Sequence, residues 1–231
     1  MNRFLKRAWA EIDLDALTHN YNEIKKLAKG KEILAVVKAN AYGHDDKAVC
    51  LKLQELGVKY YGVSNLWEGE KLRQHGITGT VLTFGYTDED YFDELLEYGI
   101  TQTAGSVQYA KELSDYAVSK GVKLPVHIKV NTGMTRVGID TEEEMLEILA
   151  MPGLDCKAAY THFAAADSFE PSDIEYTNRQ QEKLMKIASD KGLLIHSQNS
   201  GGIVYHGEFG GDIVRAGVIL YGHCPNYPLE V

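Results

Sequence analysis

The chain has 231 residues, of which 44% are hydrophobic and 25% charged, and its formal net charge is −9. This composition is typical of a globular protein rather than a disordered or fibrous one. The acidic balance and the lack of a basic patch argue against a nucleic-acid partner. There is no apolar span of about 20 residues and no signal-peptide pattern at the start, so we predict a cytoplasmic protein without a membrane anchor.

Short apolar runs alternate with amphipathic stretches along nearly the whole chain. This alternation is typical of βα units arranged around a parallel sheet. The apolar runs predict eight strands: Ile33–Ala39, Tyr60–Asn65, Val81–Gly85, Thr101–Ala104, Pro125–Asn131, Cys156–Phe163, Leu194–Asn199 and Ile213–Ala216.

The stretches between these runs repeat apolar residues at helical spacing. They predict helices over Asp15–Ala28, Asp46–Leu56, Asp88–Tyr98, Val107–Lys120, Glu142–Met151 and Ile174–Lys191. Several of these helices end near a glycine that can adopt the left-handed C-cap conformation. These glycines are Gly57, Gly99, Gly121 and Gly192.

Eight strand–helix units in this length favour a (β/α)8 TIM-type barrel over an open doubly wound sheet. We expect one domain over residues 1–231, with a leading strand at 1–13 and the start of a Pro-rich linker at 223–231. The cysteines Cys50, Cys156 and Cys224 are too far apart to suggest a disulfide framework or a paired metal site.

Polar residues follow several of the apolar runs, at the point where each predicted strand ends. In barrels of this type the reactive groups gather at the carboxyl ends of the strands. The residues found there are Lys38, Asn131 with Arg136, His162, Asn199 with Ser200, and Arg215. We therefore expect these side chains to meet at one mouth of the barrel.

Lys38 closes the aliphatic run in "AVVKANAYGH". A lysine at a barrel mouth is partly desolvated, which favours the neutral amine that can form a Schiff base. A lone lysine could instead extend its amine to solvent. The tyrosine and histidine that follow Lys38 within six residues favour the reactive interpretation.

Two further segments predict a ligand site. "HSQNSGG" and "VRAGVILYG" follow the seventh and eighth runs, where such barrels commonly bind phosphate, so Ser200, Gly217 and Val218 form a candidate phosphate cup. These glycines could also serve simple turns. Arg215 lies within an apolar strand and requires a partner, for which a ligand nitrogen or a carboxylate would serve.

The remaining candidates each have a structural alternative. His162 could be an ordinary core histidine, and the histidine spacings predict no metal site. Arg136 could pair with an acid such as Asp140, or it could grip a substrate carboxylate. Lys129 lies two residues before Asn131, on the same face of its strand, and also requires an explanation.

Taken in order, the segments "RAWAEIDLDALTHNY", "AVVKANAYGH", "KVNTGMTRVGI", "THFAAADS" and "VRAGVILYG" resemble the alanine racemase family of pyridoxal-phosphate enzymes. The resemblance covers essentially the whole chain, and "AVVKANAYGH" and "NTGMTR" are its most specific parts. It implies pyridoxal 5'-phosphate as cofactor and interconversion of L- and D-alanine for peptidoglycan precursors.

The resemblance also implies a role for each candidate residue. Lys38 would carry the cofactor and act as one acid/base group, and Arg136 and His162 would complete the catalytic set. The cofactor-binding residues would be Lys38, Tyr42, His162, Asn199, Ser200, Arg215, Gly217 and Val218. Arg215 would contact the pyridine nitrogen, and Lys129 matches a lysine that is carbamylated in some members of the family.

The family has a C-terminal β-domain that supplies a tyrosine as the second base across a head-to-tail homodimer. We expect that domain to be absent from these 231 residues, so the second base cannot be named among them. Another departure is Asp45, where the family often has glycine. Two other functions remain open: a serine racemase of the vancomycin-resistance type, and a non-catalytic single-domain pyridoxal-phosphate carrier.

Overall fold

The computed structural model describes residues 9–224 and contains eight parallel strands. They are β1 (Glu32–Val36), β2 (Tyr60–Val63), β3 (Thr80–Thr83), β4 (Thr101–Ala104), β5 (Leu124–Lys129), β6 (Leu154–Tyr160), β7 (Leu194–His196) and β8 (Ile213–Ala216). Consecutive strands pair from β1 to β7, and β8 pairs with β1.

The sheet closes because its two ends, β7 and β8, are joined by hydrogen bonds. The backbone N–H of Asp212 donates to the carbonyl of Ile195 at 2.8 Å, and that of Arg215 donates to Gln198 at 2.9 Å. The Asp212 carboxylate also accepts the N–H of Ile195 at 2.8 Å. These bonds confirm the predicted (β/α)8 barrel.

Helices follow the strands around the outside of the barrel. They are α1 (Leu14–Leu27), α3 (Asp46–Glu55), α4 (Leu66–Gln74), α5 (Phe92–Glu97), α6 (Val107–Ser119), α7 (Glu142–Leu149), α8 (Pro171–Ala188) and α9 (Ser200–Tyr205). Short 3-10 segments occupy Glu89–Tyr91 and Val218–Tyr221. The segment α2 (Lys38–Gly43) is left-handed and belongs to the site described below.

All six predicted helices are present, and the four predicted C-cap glycines have φ between 56° and 91°. The sequence analysis missed α4 and α9. Helix α4 buries only Leu66, Gly69 and Leu72, and α9 is a six-residue helix that begins Ser-Gly-Gly. Neither has the repeated apolar stripe that marks an amphipathic helix.

Several predicted strands were too long at their carboxyl ends. The strand expected over Ile33–Ala39 ends at Val36, and the one expected over Leu194–Asn199 ends at His196. The apolar pattern reports burial, and burial continues past the sheet ladder: Val37 and Ala41 are both buried beyond the end of β1. Lys38 and Asn199 consequently lie outside the strands.

The predicted leading strand (1–13) and linker (223–231) lie mostly outside the described residues. Residues 1–8 and 225–231 lie outside the described residues, whereas residues 9–13 form no strand. Asp13 instead caps α1, because its carboxylate accepts the N–H groups of Asp15 and Ala16. Within residues 9–224, no helix combines the length and apolar character needed to cross a membrane.

The barrel interior has an apolar side and a polar side. Leu34, Val36, Leu82 and Ile213 form an apolar cluster of their own, separate from the main core between strands and helices. The polar side is carried by β5 to β8, whose buried side chains include His127, Lys129, Tyr160, His196 and Arg215. The polar side leads up to the barrel mouth where the candidate residues gather.

Candidate active site

A cavity of about 670 Å³ lies at the carboxyl ends of the strands. Ten of the eleven site residues named from the sequence line it: Lys38, Tyr42, Lys129, Arg136, His162, Asn199, Ser200, Arg215, Gly217 and Val218. Parallel strands bring their carboxyl ends to one face of a barrel, which explains why residues so distant in sequence meet here. Asn131 is not among the lining residues.

Lys38 is half-buried and begins the left-handed turn α2. Residues Ala39–Tyr42 have φ of 52° to 55° and ψ of 34° to 50°, although none of them is glycine. A left-handed helix of L-residues costs roughly 1–2 kcal/mol per residue, so the turn must be held by surrounding contacts. Residues four apart share one face of a helical turn, and the Lys38 Nζ atom accordingly lies 5.9 Å from the centroid of the Tyr42 ring.

Hydroxyl and backbone groups of Tyr42, Ser200 and Gly217 form a small cup in the cavity that Lys38 also lines. The N–H of Gly217 donates to the Oγ atom of Ser200 at 3.2 Å. A Cβ atom placed on Gly217 would lie 3.3 Å from the Tyr42 Oη atom and 3.6 Å from Ser200 Oγ, so a side chain here would fill the cup. Burial raises the pKa of Tyr42, which keeps its hydroxyl available as a donor.

Asn199 orients one wall of this cup. Its side-chain oxygen accepts the N–H of Gly202 at 3.0 Å, which caps the start of α9. The cap fixes the first residue of α9, Ser200, whose side chain is nearly buried. Asn199 therefore lines the cavity and also holds Ser200 in place.

Arg215 is buried and fixed by hydrogen bonds to the protein itself. Its NH1 atom donates to the His196 carbonyl at 2.7 Å, and its NH2 atom donates to the carbonyls of Thr161 at 2.6 Å and Ser197 at 2.8 Å. Burial lowers the pKa of Arg215 to about 10, so the guanidinium remains charged near neutral pH. Backbone carbonyls thus supply partners that we had expected from a ligand nitrogen or a carboxylate.

Arg215 also sets the protonation of two buried histidines. Its NH1 lies 3.1 Å from His196 Nδ1, and His196 Nε2 lies 3.0 Å from His127 Nδ1. An arginine only donates, so His196 accepts at Nδ1 and carries its proton on Nε2, which it donates to His127. Burial lowers the pKa of both rings, that of His127 to about 4. The sequence analysis missed this pair, which has no local motif.

Tyr160 lies near both basic side chains of the polar interior, Lys129 and Arg215. The Lys129 Nζ atom and the Arg215 guanidinium carbon each lie 5.5 Å from its ring centroid, and His196 stacks against it at 4.6 Å. Its hydroxyl is 2.8 Å from the Oγ1 of Thr103, and burial raises its pKa to about 12. Tyr160 was also missed, because it resembles any aromatic residue in an apolar strand.

Known proteins are similar to this chain in both sequence and fold. Residues 12–225 match the family model described as "Alanine racemase, N-terminal domain". The chain belongs to the alanine racemase family. The alanine racemase of Clostridium perfringens strain SM101 is 40% identical over 98% of this chain and 60% of that protein. That of Desulforamulus reducens is 38% identical over 96% of this chain and 62% of that protein.

Solved structures give the same result. The alanine racemase of Clostridium difficile 630 superposes with a TM-score of 0.89 at 37% identity, covering 99% of this chain and 61% of that one. A histidine racemase from Leuconostoc mesenteroides superposes with a TM-score of 0.85 at 27% identity, covering 95% and 60%. The chain therefore spans about 60% of the length of these relatives, and the match accounts for the barrel.

In this alanine racemase family barrel, Lys129 has an amine that is partly neutral near neutral pH. Its side chain is buried, and Nζ donates to the Val130 carbonyl at 2.9 Å. Burial first, and then the charges of Arg215 and Arg136, lower its pKa to about 7. The charge of this lysine is thus sensitive to small changes around it.

Arg136 and His162 both line the cavity. Asp140, the acid that we considered as a partner for Arg136, instead contacts Asn131 Nδ2 at 3.0 Å and Lys183 Nζ at 3.5 Å. Arg136 is exposed and forms no ion pair within residues 9–224. Burial, followed by the charge of Arg215, lowers the pKa of His162 to about 3, so its ring is neutral.

Proposed function

We propose that this chain is the pyridoxal-phosphate-binding barrel of an alanine racemase, with Lys38 as the attachment point. The observation that carries the proposal is that the amine of Lys38 and the cup formed by Tyr42, Ser200 and Gly217 line the same cavity. The alanine racemases that match over nearly the whole chain support the choice of substrate.

The donors in the cavity fit pyridoxal 5'-phosphate. Tyr42, Ser200 and the backbone at Gly217 and Val218 would hold the phosphate, because hydroxyl and N–H groups bind anions and the missing Cβ of Gly217 leaves room for one. The neutral ring of His162 would lie against the cofactor. When bound, the cofactor supplies an electron sink that acidifies the α-hydrogen of an amino acid.

Arg215 limits the strength of that sink. A guanidinium cannot give up its proton, so Arg215 would leave the pyridine nitrogen unprotonated. Its bonds to Thr161, His196 and Ser197 hold it rigidly beneath the cavity. A weaker electron sink would disfavour side reactions such as transamination.

Lys38 would also move the proton on one face of the substrate α-carbon. The exposed guanidinium of Arg136, which lines the same cavity, would bind the substrate carboxylate. We include carbamylation of Lys129 in the proposal, because a pKa of about 7 leaves much of its amine neutral and nucleophilic. Addition of CO2 to the neutral amine, with release of one proton, would give a carbamate and change Lys129 from a cation into an anion beside Arg136.

The rest of the proposal concerns the whole protein. The second base would be a tyrosine from a C-terminal domain, delivered across a head-to-tail homodimer. The protein would act in the cytoplasm on a free amino acid and supply D-alanine for peptidoglycan precursors. These points rest on the resemblance to the family.

Deuterium exchange at the α-carbon tests the proposal. The chain is incubated with pyridoxal phosphate in deuterated water, separately with D-alanine and L-alanine, and loss of the α-proton is followed by NMR. Exchange of D-alanine with little inversion would show a competent Lys38 that lacks its partner base. Inversion of both enantiomers would reveal a second base within these 231 residues, and faster exchange of serine would favour a serine racemase.

A pyridoxal-phosphate carrier is the alternative function. It is favoured by the fact that all the candidate cofactor-binding residues line a single cavity of the barrel, which is sufficient for a carrier. Cofactor bound to Lys38 without exchange of either alanine enantiomer would support the carrier. No attachment of the cofactor to Lys38 would refute both functions.

A further inference from the structure

The left-handed turn α2 requires a physical explanation. Its four left-handed residues, Ala39–Tyr42, include no glycine, and Ala39 and Asn40 are exposed at the mouth rather than packed in the core. Within the turn, the N–H of Ala41 donates to the Val37 carbonyl at 2.9 Å. This hydrogen bond and the burial of Ala41 stabilise the later part of the turn. The exposed residues Ala39 and Asn40 must therefore be held by other groups.

Glu68 on α4 holds the start of the turn. One oxygen of its carboxylate accepts the N–H of Ala39 at 2.8 Å, and the other accepts the N–H of Ser64 at 2.7 Å. Ser64 directly follows β2 and lines the cavity. A single carboxylate therefore ties the residue after Lys38 to the neighbouring strand end, through two charge-assisted bonds.

Glu68 is itself held in a fixed position. It lies in the first turn of α4, where its N–H donates to the capping side chain of Asn65 at 3.1 Å. Three residues later on the same helix face, the Lys71 Nζ atom lies 3.4 Å from Asn40 Oδ1 and 2.9 Å from the buried Asp46 carboxylate. Helix α4 thus contacts the turn at both Ala39 and Asn40.

We propose that Glu68 is a positioning residue for Lys38 and Tyr42. By accepting the Ala39 N–H, its carboxylate stabilises the left-handed conformation, which puts the Lys38 amine and the Tyr42 ring on one face, towards the cup. A right-handed or extended chain after Lys38 would send Tyr42 elsewhere. This inference rests on the proposed function, because it concerns the same amine.

The test measures how fast Lys38 of the chain captures pyridoxal phosphate. The adduct is trapped with borohydride and located by peptide mass spectrometry, so that the share on Lys38 is separated from the share on surface lysines. The variants are Glu68→Ala, which removes both acceptors, and Glu68→Gln, which keeps one. Glu70→Ala is the matched control: Glu70 lies on the same helix and accepts from Gln74 at 2.8 Å.

We expect capture on Lys38 to slow by about tenfold or more in Glu68→Ala, since bonds to charged groups are among the stronger ones in proteins. Glu68→Gln should lie between Glu68→Ala and the unmodified chain, and Glu70→Ala should match the unmodified chain. The share of adduct on Lys38 should fall while the far-UV circular dichroism stays unchanged. Hydrogen exchange of the Ala39 amide, followed by NMR, should accelerate.

Capture by Glu68→Ala within twofold of the unmodified chain would overturn the inference. If Glu68→Ala does not fold, Glu68→Gln decides the question. The inference would also be overturned if Glu68→Gln captured pyridoxal phosphate as fast as the unmodified chain and its Ala39 amide were equally protected from exchange. A failure of the proposed function would be distinct, because the unmodified chain itself would then show no adduct on Lys38.

Discussion

Replacing His127 with asparagine tests the buried histidine pair. His127 is 1% exposed, and its Nδ1 atom accepts from His196 inside the barrel. A proton added to that nitrogen would point directly at the His196 N–H, and burial lowers the pKa of His127. Asparagine keeps an acceptor near the position of Nδ1 but does not titrate.

The size of the effect follows from the pKa of His127, which burial lowers from 6.5 to about 4. Between these values the unfolded chain binds a proton that the folded chain does not, so the free energy of unfolding decreases as the pH falls. One pKa unit corresponds to about 1.4 kcal/mol. Relative to pH 8, His127 alone should therefore lower the free energy of unfolding by about 2 kcal/mol at pH 5, and by about 3.4 kcal/mol well below pH 4.

Urea unfolding at pH 8 and pH 5 measures this cost. Between the two pH values, the unmodified chain should lose about 2 kcal/mol more stability than His127→Asn. His19→Asn, on the exposed face of α1, is the control and should behave like the unmodified chain. An equal loss in His127→Asn and the unmodified chain would refute the assignment of His127 as a neutral, acid-sensitive core residue.

Three other substitutions test the cup and the packing. Gly217→Ala places a Cβ atom 3.3 Å from Tyr42 Oη and should weaken pyridoxal phosphate binding, measured by fluorescence titration, roughly tenfold. Pyridoxal, which lacks the phosphate, should bind unchanged. An equal loss of affinity for both ligands would contradict a phosphate site at the cup. Tyr42→Phe removes one hydroxyl donor and should weaken only the phosphate form, by about fivefold. Gly153→Ala brings a Cβ atom within 2.1 Å of the Ser114 carbonyl oxygen and should destabilise the barrel by about 1–3 kcal/mol in urea unfolding, without altering cofactor affinity per folded molecule.

The local periodicity of the sequence was sufficient to predict the barrel. Each buried parallel strand is a short apolar run, and each outer helix needs an apolar stripe. Both patterns can be recognised from residues close together in the sequence. Helices α4 and α9 were missed for the same reason, since neither has such a stripe. Strand ends were overestimated because an apolar run reports burial rather than ladder hydrogen bonds.

The candidate residues were predictable only in part. Lys38 and Ser200 follow strands, and the carboxyl ends of parallel strands meet at one face, so the sequence pattern and the resemblance together place them in one cavity. The polar interior was not predictable, because His127, Tyr160 and His196 belong to three different strands. Each is an ordinary residue in its own segment, and closure of the barrel brings them together.

The sequence by itself determined the order of strands and helices and the chemical groups at the strand ends, because both depend on neighbouring residues. Only the tertiary structure decided the conformation of α2 and the protonation of the buried histidines. The left-handed turn contains no glycine that would have indicated it in the sequence. It depends on the Glu68 carboxylate of α4, which accepts the N–H of Ala39. The histidine tautomers depend on Arg215, which comes from the last strand of the barrel. Such long-range contacts leave no local pattern in the sequence.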